Sequence, residues 1–223
     1  MPAISPARHS GEGGNRFYAR CRDIHMNGGD HFDGDYYRRF YEDDNTAIVN
    51  AGEAAKEVAF VVAFCNYIGL SVERFSDVGA GTGWWAREFA RQYPACASIE
   101  TFDSSKSACD MYGHRRVAIE KLSGRQSDLV VCRDVLRYVG DSLVDEALRR
   151  LARKCRGVLY LHAITSDDDI DEDASDMAGV FRTTWFYRDK LLDAGFIDCG
   201  MGLFVSKKFK EFAYFTLEVR RRQ

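Results

Sequence analysis

The apolar positions of this chain follow two periods. Val58, Val61, Val62, Cys65 and Ile68 recur at helical spacing, which predicts a long helix from Thr46, a suitable N-cap, to about Leu70, with Gly69 able to end it. Beyond it, short apolar runs alternate with amphipathic stretches. Arg74–Val78, Ser98–Phe102, Asp128–Cys132 and Gly157–Leu161 read as strands, and Arg116–Glu120 as a short one. Trp84–Gln92, Lys106–Tyr112, Leu143–Lys154 and Trp185–Ala194 read as helices, the first stopped by Pro94 and the last by Gly195. Two further strand-like runs, Phe196–Val205 and Phe212–Val219, are separated by Lys207-Lys208-Phe209-Lys210, a connection short enough for an antiparallel hairpin.

Strand and helix alternation argues for an α/β fold with a parallel, doubly wound sheet. Runs such as Leu129-Val130-Val131-Cys132 are apolar without alternating, as expected of strands covered on both faces. The terminal hairpin would add an antiparallel edge. Residues 1–30 are rich in Gly, Ser and Pro and read as a flexible leader, so one domain is expected over residues 31–223. At its entrance, Phe32 to Glu42 mixes aromatic and charged residues, as a structural helix or a lid over a ligand would.

The 223 residues suffice for one large domain, and 46% apolar with 29% charged residues is ordinary for a globular chain. A net charge of −3 argues against a cationic nucleic-acid binder. The seven cysteines are scattered and form no CxxC pair, which opposes a disulfide framework or a zinc site and suits reduced thiols in a cytoplasmic protein. No secretory pattern opens the chain, and the apolar stretch Val58–Leu70 is too short for a membrane span, which takes about 20 residues. No metal-ligand spacing is apparent, and Asp167 to Asp173 lacks the glycine and terminal glutamate of a calcium loop.

The sharpest chemical signal is Asp77-Val78-Gly79-Ala80-Gly81-Thr82-Gly83, between a strand and a helix. Glycines there permit a tight turn and the close approach of a ligand, and the following helix start can offer unpaired N–H groups. A dinucleotide fingerprint needs G-x-G-x-x-G, but its third glycine position holds Trp84. About 20 residues on, Asp103 ends the next strand, where an acid can accept hydrogen bonds from ribose hydroxyls or simply cap a helix. Glu100 carries the same charge but sits inside the strand.

The segment from Asp77 to Gly83 resembles motif I, D/E-x-G-x-G-x-G, of the class I S-adenosylmethionine-dependent methyltransferases. Asp128-Leu129-Val130-Val131-Cys132-Arg133-Asp134-Val135-Leu136-Arg137-Tyr138 resembles their motif IV. Cys155 to Thr165 resembles the fifth strand, and Ala194-Gly195-Phe196 the entry to the sixth. The resemblance runs from about Tyr36 to Val219 and extends to stand-alone bacterial members. It implies a Rossmann-like, mostly parallel seven-stranded sheet, S-adenosyl-L-methionine as cofactor and S-adenosyl-L-homocysteine as product.

It also implies roles. Gly79, Ala80, Gly81 and Gly83 would line the cofactor, Asp77 would favour its ammonium group, and Asp103 with Ser104 would hold the ribose. Ile119, Glu120 and Leu122 would border the adenine, and Cys132 and Arg133 would lie beside the transferring methyl. Tyr36 and Arg38 would close over it, Arg38 as a partner for its carboxylate, although these residues can equally pack the first helix. Arg133 and Asp134 can also be a local ion pair capping a helix. A base for the acceptor is sought in His162, at the carboxyl end of a strand, or in Asp134, with Tyr138 and Asp167 as rivals. The acidic run Ser166 to Asp173 either attracts a cationic acceptor or is a solvated helix start. The expected partner is a small-molecule methyl acceptor. The alternatives are a protein or RNA methyltransferase on the same fold, and a non-catalytic cofactor-binding scaffold.

Overall fold

The computed structural model describes residues 32–33, 51–170 and 176–220. The expected start of the first helix at Thr46 lies outside them, as do the leader, Tyr36 and Arg38. Helix α1 covers Ala51–Tyr67, and the chain then enters β1 (Arg74–Val78), α2 (Trp84–Gln92), β2 (Ser98–Asp103), α3 (Lys106–Tyr112) and β3 (Arg115–Arg116). Next come β4 (Ser127–Arg133), α4 (Asp141–Lys154), β5 (Cys155–His162), α5 (Thr184–Asp193), β6 (Phe196–Gly200) and β7 (Leu203–Ser206).

The seven strands form one sheet in the order β3-β2-β1-β4-β5-β7-β6. Strands β1 to β5 are mutually parallel, and β7 runs antiparallel to both β5 and β6. Successive residues of the buried strands feed two separate cores. Val130, Cys132, Leu159 and Leu161 pack with Val144, Leu148 and Leu151 of α4. Leu129, Val131, Val158 and Tyr160 pack with Val58, Val61 and Cys65 of α1 and with Trp85 and Phe89 of α2. Helices on both faces account for the lack of polar alternation in these strands.

The antiparallel hairpin is present, but its turn lies elsewhere than expected. Gly200, Met201 and Gly202 all have positive φ (82°, 50° and 78°), and they reverse the chain inside the run read as one strand. Phe212–Val219 is not a strand. It carries a single 3₁₀ turn, Thr216–Glu218, and exposes Phe215 and Leu217. Its apolar residues mimic a strand, but among the described residues after β7 only Arg220 pairs with the sheet, through an isolated bridge to Asp198. The expected strand Arg116–Glu120 shrinks to Arg115–Arg116, followed by a 3₁₀ turn over Ile119–Lys121 that packs Ile119 into the core. No described helix is long and apolar enough to cross a membrane.

Candidate active site

At the carboxyl end of the parallel strands, β1 runs into the turn Gly79–Gly83. Gly79, Gly81 and Gly83 have φ of 77°, 56° and 72°, conformations that side-chain-bearing residues rarely adopt. A β-carbon on Gly79 would come within 2.1 Å of Val135 Cγ2, so the turn also needs glycine for its contact with the β4 connection. The turn is lashed to β2. The Phe102 carbonyl accepts the Gly79 N–H (2.8 Å) and the Ala80 N–H (3.0 Å), while Asp103 Oδ2 accepts the Gly81 N–H (2.8 Å). The N–H groups of Gly79, Ala80, Gly81 and Gly83 are therefore all engaged within the protein, the last by the Ala80 carbonyl (2.7 Å).

Asp77 lies beneath the turn with 2% of its surface exposed. Its carboxylate accepts the backbone N–H of Ala86 in the first turn of α2, so it caps the helix across the glycines. Its Oδ2 is buried without a hydrogen-bond partner. Burial, followed by the nearby negative charge of Asp103, raises its pKa to about 7, against the pull of that N–H and of Arg133. A buried carboxylate oxygen with no partner is a fitting receptor for a cationic ligand group.

Asp103, at the tip of β2, spends Oδ1 on the Ser105 N–H (2.8 Å) and Oδ2 on Gly81. Each oxygen keeps a further lone pair for a hydroxyl donor. Ser104 is exposed, and its carbonyl accepts from Arg116 Nε at 3.4 Å. Ser105 is fully buried. Its Oγ caps α3 by accepting the Ala108 N–H, and its hydroxyl donates to the Phe32 carbonyl (2.8 Å). Glu100 faces away from this edge in a charge cluster with Lys154 (2.8 Å), Arg115 (3.1 Å) and Arg74 (3.7 Å).

Arg133 and Asp134 do not pair with each other. Arg133 Nε donates to Glu57 of α1 (3.1 Å), whose Oε1 also accepts from Trp85 Nε1 (3.2 Å). Asp134 has a φ of 53° and faces Arg137, and the residues after it form a 3₁₀ turn, Leu136–Tyr138, before α4 begins at Asp141. Arg137 is 2% exposed and also donates to the carbonyls of Asp176 and Ala178. Both Asp134 carboxylate oxygens thus face the Arg137 guanidinium.

His162 ends β5 directly across from Arg133 and is exposed, and its carbonyl accepts the Asp134 N–H (2.7 Å). Although the ring reaches solvent, the protein around it disfavours its charged form, and the Arg133 charge adds to that. Both lower its pKa from the usual 6.5. Of the acidic run, Asp167 accepts the Thr184 N–H at the start of α5, and Asp168 accepts from the Thr165 N–H and hydroxyl. These two acids organise the loop, and residues 171–175 lie outside the described ones.

The structure thus brings Asp77, the glycine turn, Asp103, Cys132, Arg133, Asp134 and His162 to one edge. Cys132 is fully buried, and burial raises its thiol pKa. Ile119 and Leu122 are buried in the core that packs under α4. Leu122 also lines a recess of about 200 Å³ with Ser123, Arg150, Arg153 and Lys154, away from the turn. Glu120 is half-buried in the 3₁₀ turn between them. The sequence pattern does not single out Glu57, His114 or Arg137. Glu57 and His114 act across 76 and 33 residues, and no spacing rule reaches that far.

The family model described as a methyltransferase domain matches residues 49–194, which spans every element from α1 to α5. This chain belongs to the class I S-adenosylmethionine-dependent methyltransferases. A malonyl-[acyl-carrier protein] O-methyltransferase of Gallionella capsiferriformans is 38% identical over 69 residues, 31% of this methyltransferase and 23% of that protein. The match thus spans about a quarter of that relative. Among solved structures, the magnesium protoporphyrin IX methyltransferase of Synechocystis PCC 6803, with S-adenosylmethionine bound, superposes with a TM-score of 0.58. It is 20% identical, over 79% of this methyltransferase and 94% of that chain. The sugar N-methyltransferase KedS8 of Streptoalloteichus sp. ATCC 53650 gives 0.56 at 14% identity, over 92% and 98%. At such identities the likeness concerns the fold.

Proposed function

We propose that this methyltransferase transfers the methyl group of S-adenosylmethionine to an oxygen, nitrogen or carbon atom of a small molecule seated over the β4–β5 edge. The observation that carries the reading is the placement of an open, neutral imidazole, His162, on the same edge as the Gly79–Gly83 turn and opposite Arg133. The names of the similar proteins support the acceptor class, since they refer to a porphyrin, a sugar and a malonyl group. The acidic balance of the chain supports an acceptor other than nucleic acid.

The cofactor, when bound, supplies an activated methyl on a sulfonium cation. This chain's residues do the rest. Gly79, Ala80, Gly81 and Gly83 let it approach the backbone, and the unpartnered Asp77 oxygen receives its ammonium group. Asp103 accepts its ribose hydroxyls. The backbone of Cys132 and the side chain of Arg133 border the reacting centre, and His162 takes the acceptor's proton. The cytoplasm suits the six described cysteines, all of which are free thiols.

Isothermal titration with S-adenosylhomocysteine tests the cofactor half of the reading, with NADH as control and Asp103→Ala alongside. Selective binding that weakens in the variant supports it, and a preference for NADH refutes it. Transfer of labelled methyl to a panel of small hydroxyls, amines and carbon acids tests the acceptor half, which fails if only protein or RNA is labelled.

A further inference from the structure

His114 lies on the connection between α3 and β3, outside the segments that resemble motifs I and IV, and is 8% exposed. Its Nε2 is 2.9 Å from the Gly81 carbonyl oxygen, and its Nδ1 is 2.9 Å from Thr101 Oγ1 on β2. A carbonyl only accepts, so Nε2 carries the proton. In the neutral ring, Nδ1 then accepts the Thr101 hydroxyl. The Gly81 carbonyl thus fixes the tautomer, and the Thr101 hydroxyl, donating to Nδ1, holds the other end of the ring.

Two other carbonyls of the turn find partners close by in the chain. The Ala80 carbonyl accepts from the Gly83 N–H (2.7 Å) and that of Thr82 from Arg87 Nη1 (2.7 Å). Gly81 alone is gripped at both polar atoms by other elements, its N–H by Asp103 and its carbonyl by His114. Those two bonds fix the planes of the peptides on either side of Gly81, the residue at the centre of the turn. The ring also borders Gly83, where a β-carbon would stand 3.0 Å from His114 Cε1. We propose that His114 is a positioning residue for the cofactor: it clamps the Gly81 carbonyl and, with Asp103, sets the turn in its receiving shape before the cofactor arrives.

The assignment rests on the reading of the turn as the cofactor's seat. Two substitutions separate the two ends of the ring. In His114→Gln the amide nitrogen takes the place of Nε2 and can still donate to Gly81. In His114→Asn the amide reaches only the Nδ1 position, so the Thr101 contact survives and the Gly81 contact is lost. The expected result by titration with S-adenosylhomocysteine is near wild-type affinity for the Gln variant and about 3- to 10-fold weaker binding for the Asn variant, the range of one hydrogen bond. Thermal melts check that both fold. If neither does, Thr101→Val carries the test, because it keeps the ring but removes the hydroxyl that anchors its Nδ1 end. An affinity loss of about threefold is then expected, and unchanged affinity overturns the proposal. Equal affinities of the Asn and Gln variants, with the wild type binding, overturn the role of His114 alone. A wild type that does not bind S-adenosylhomocysteine overturns the seat and the clamp together.

Discussion

The Arg137 guanidinium lies against the Asp134 carboxylate, with Nη2 2.9 Å from Oδ2 and Nε 2.9 Å from Oδ1. Arg137 is almost wholly buried, stacks on Tyr138 at 4.4 Å and accepts the Val180 N–H at its own carbonyl. It therefore joins the end of β4 to the loop that follows β5. Replacing it with alanine leaves a carboxylate without its partner and two carbonyls without their donor. A loss of about 3–5 kcal/mol in unfolding free energy is expected, read by chemical denaturation. A loss under about 1 kcal/mol would mean that the pair does not hold the two segments together.

Asp103 joins the turn to β2 and, in the proposed reading, also meets the ribose. Asp103→Ala removes both functions, and S-adenosylhomocysteine binding is expected to weaken by about ten- to a hundredfold, since hydrogen bonds to charged groups are the stronger ones. Asp103→Asn keeps one acceptor oxygen and should fall between. Titration calorimetry orders the three proteins, and equal affinities would remove Asp103 from the site.

The buried Asp77 makes stability depend on pH in an unusual direction for a carboxylate. Its folded pKa of about 7 exceeds the ordinary 3.8, so the folded state holds the proton more tightly than the unfolded one. The associated stability is fully present below about pH 4 and is lost as pH rises toward 7. The cost by pH 8 is on the order of 4 kcal/mol. Asp77→Asn keeps an acceptor for the Ala86 N–H and cannot ionise. Without ligand it should melt above the wild type at pH 8, with the gap closing toward pH 5, yet bind S-adenosylhomocysteine more weakly. A pH-independent gap would show that Asp77 does not titrate in this range.

His162 predicts the shape of the rate profile once an acceptor is found. Its lowered pKa keeps the ring neutral at pH 7, so the rate should fall on the acid side with a midpoint below 6.5. His162→Gln should lose about 10²- to 10⁴-fold in kcat and its acid limb, with little change in cofactor KM. An unchanged profile would leave proton removal to solvent or to another group.

Much of this fold was legible because its strands are buried on both faces. A run such as Leu129 to Cys132 suits a strand inside a covered sheet, and glycine ends several elements where a positive φ is needed. The same reading failed at the C-terminus, because Gly200 and Gly202 turn the chain within an apolar run, and because Phe212, Tyr214 and Phe215 are apolar without entering the sheet. The glycine turn could be placed from spacing. What fixes it could not, since Phe102, Asp103 and His114 reach it through space. The pairing of Arg133 with Glu57 rather than with Asp134 depends on where α1 docks, which local sequence does not encode.

The inward-facing amides of the turn bear on which nucleotides this edge can accept. A pyrophosphate needs a cradle of free N–H groups and a positive setting. Here Gly79, Ala80, Gly81 and Gly83 all direct their N–H groups into the protein, and two carboxylates, Asp77 and Asp103, stand beside them. A diphosphate would find these four N–H groups already engaged and two acids beside them. In charge and in donor supply, the turn is set for a cationic nucleoside rather than an anionic dinucleotide.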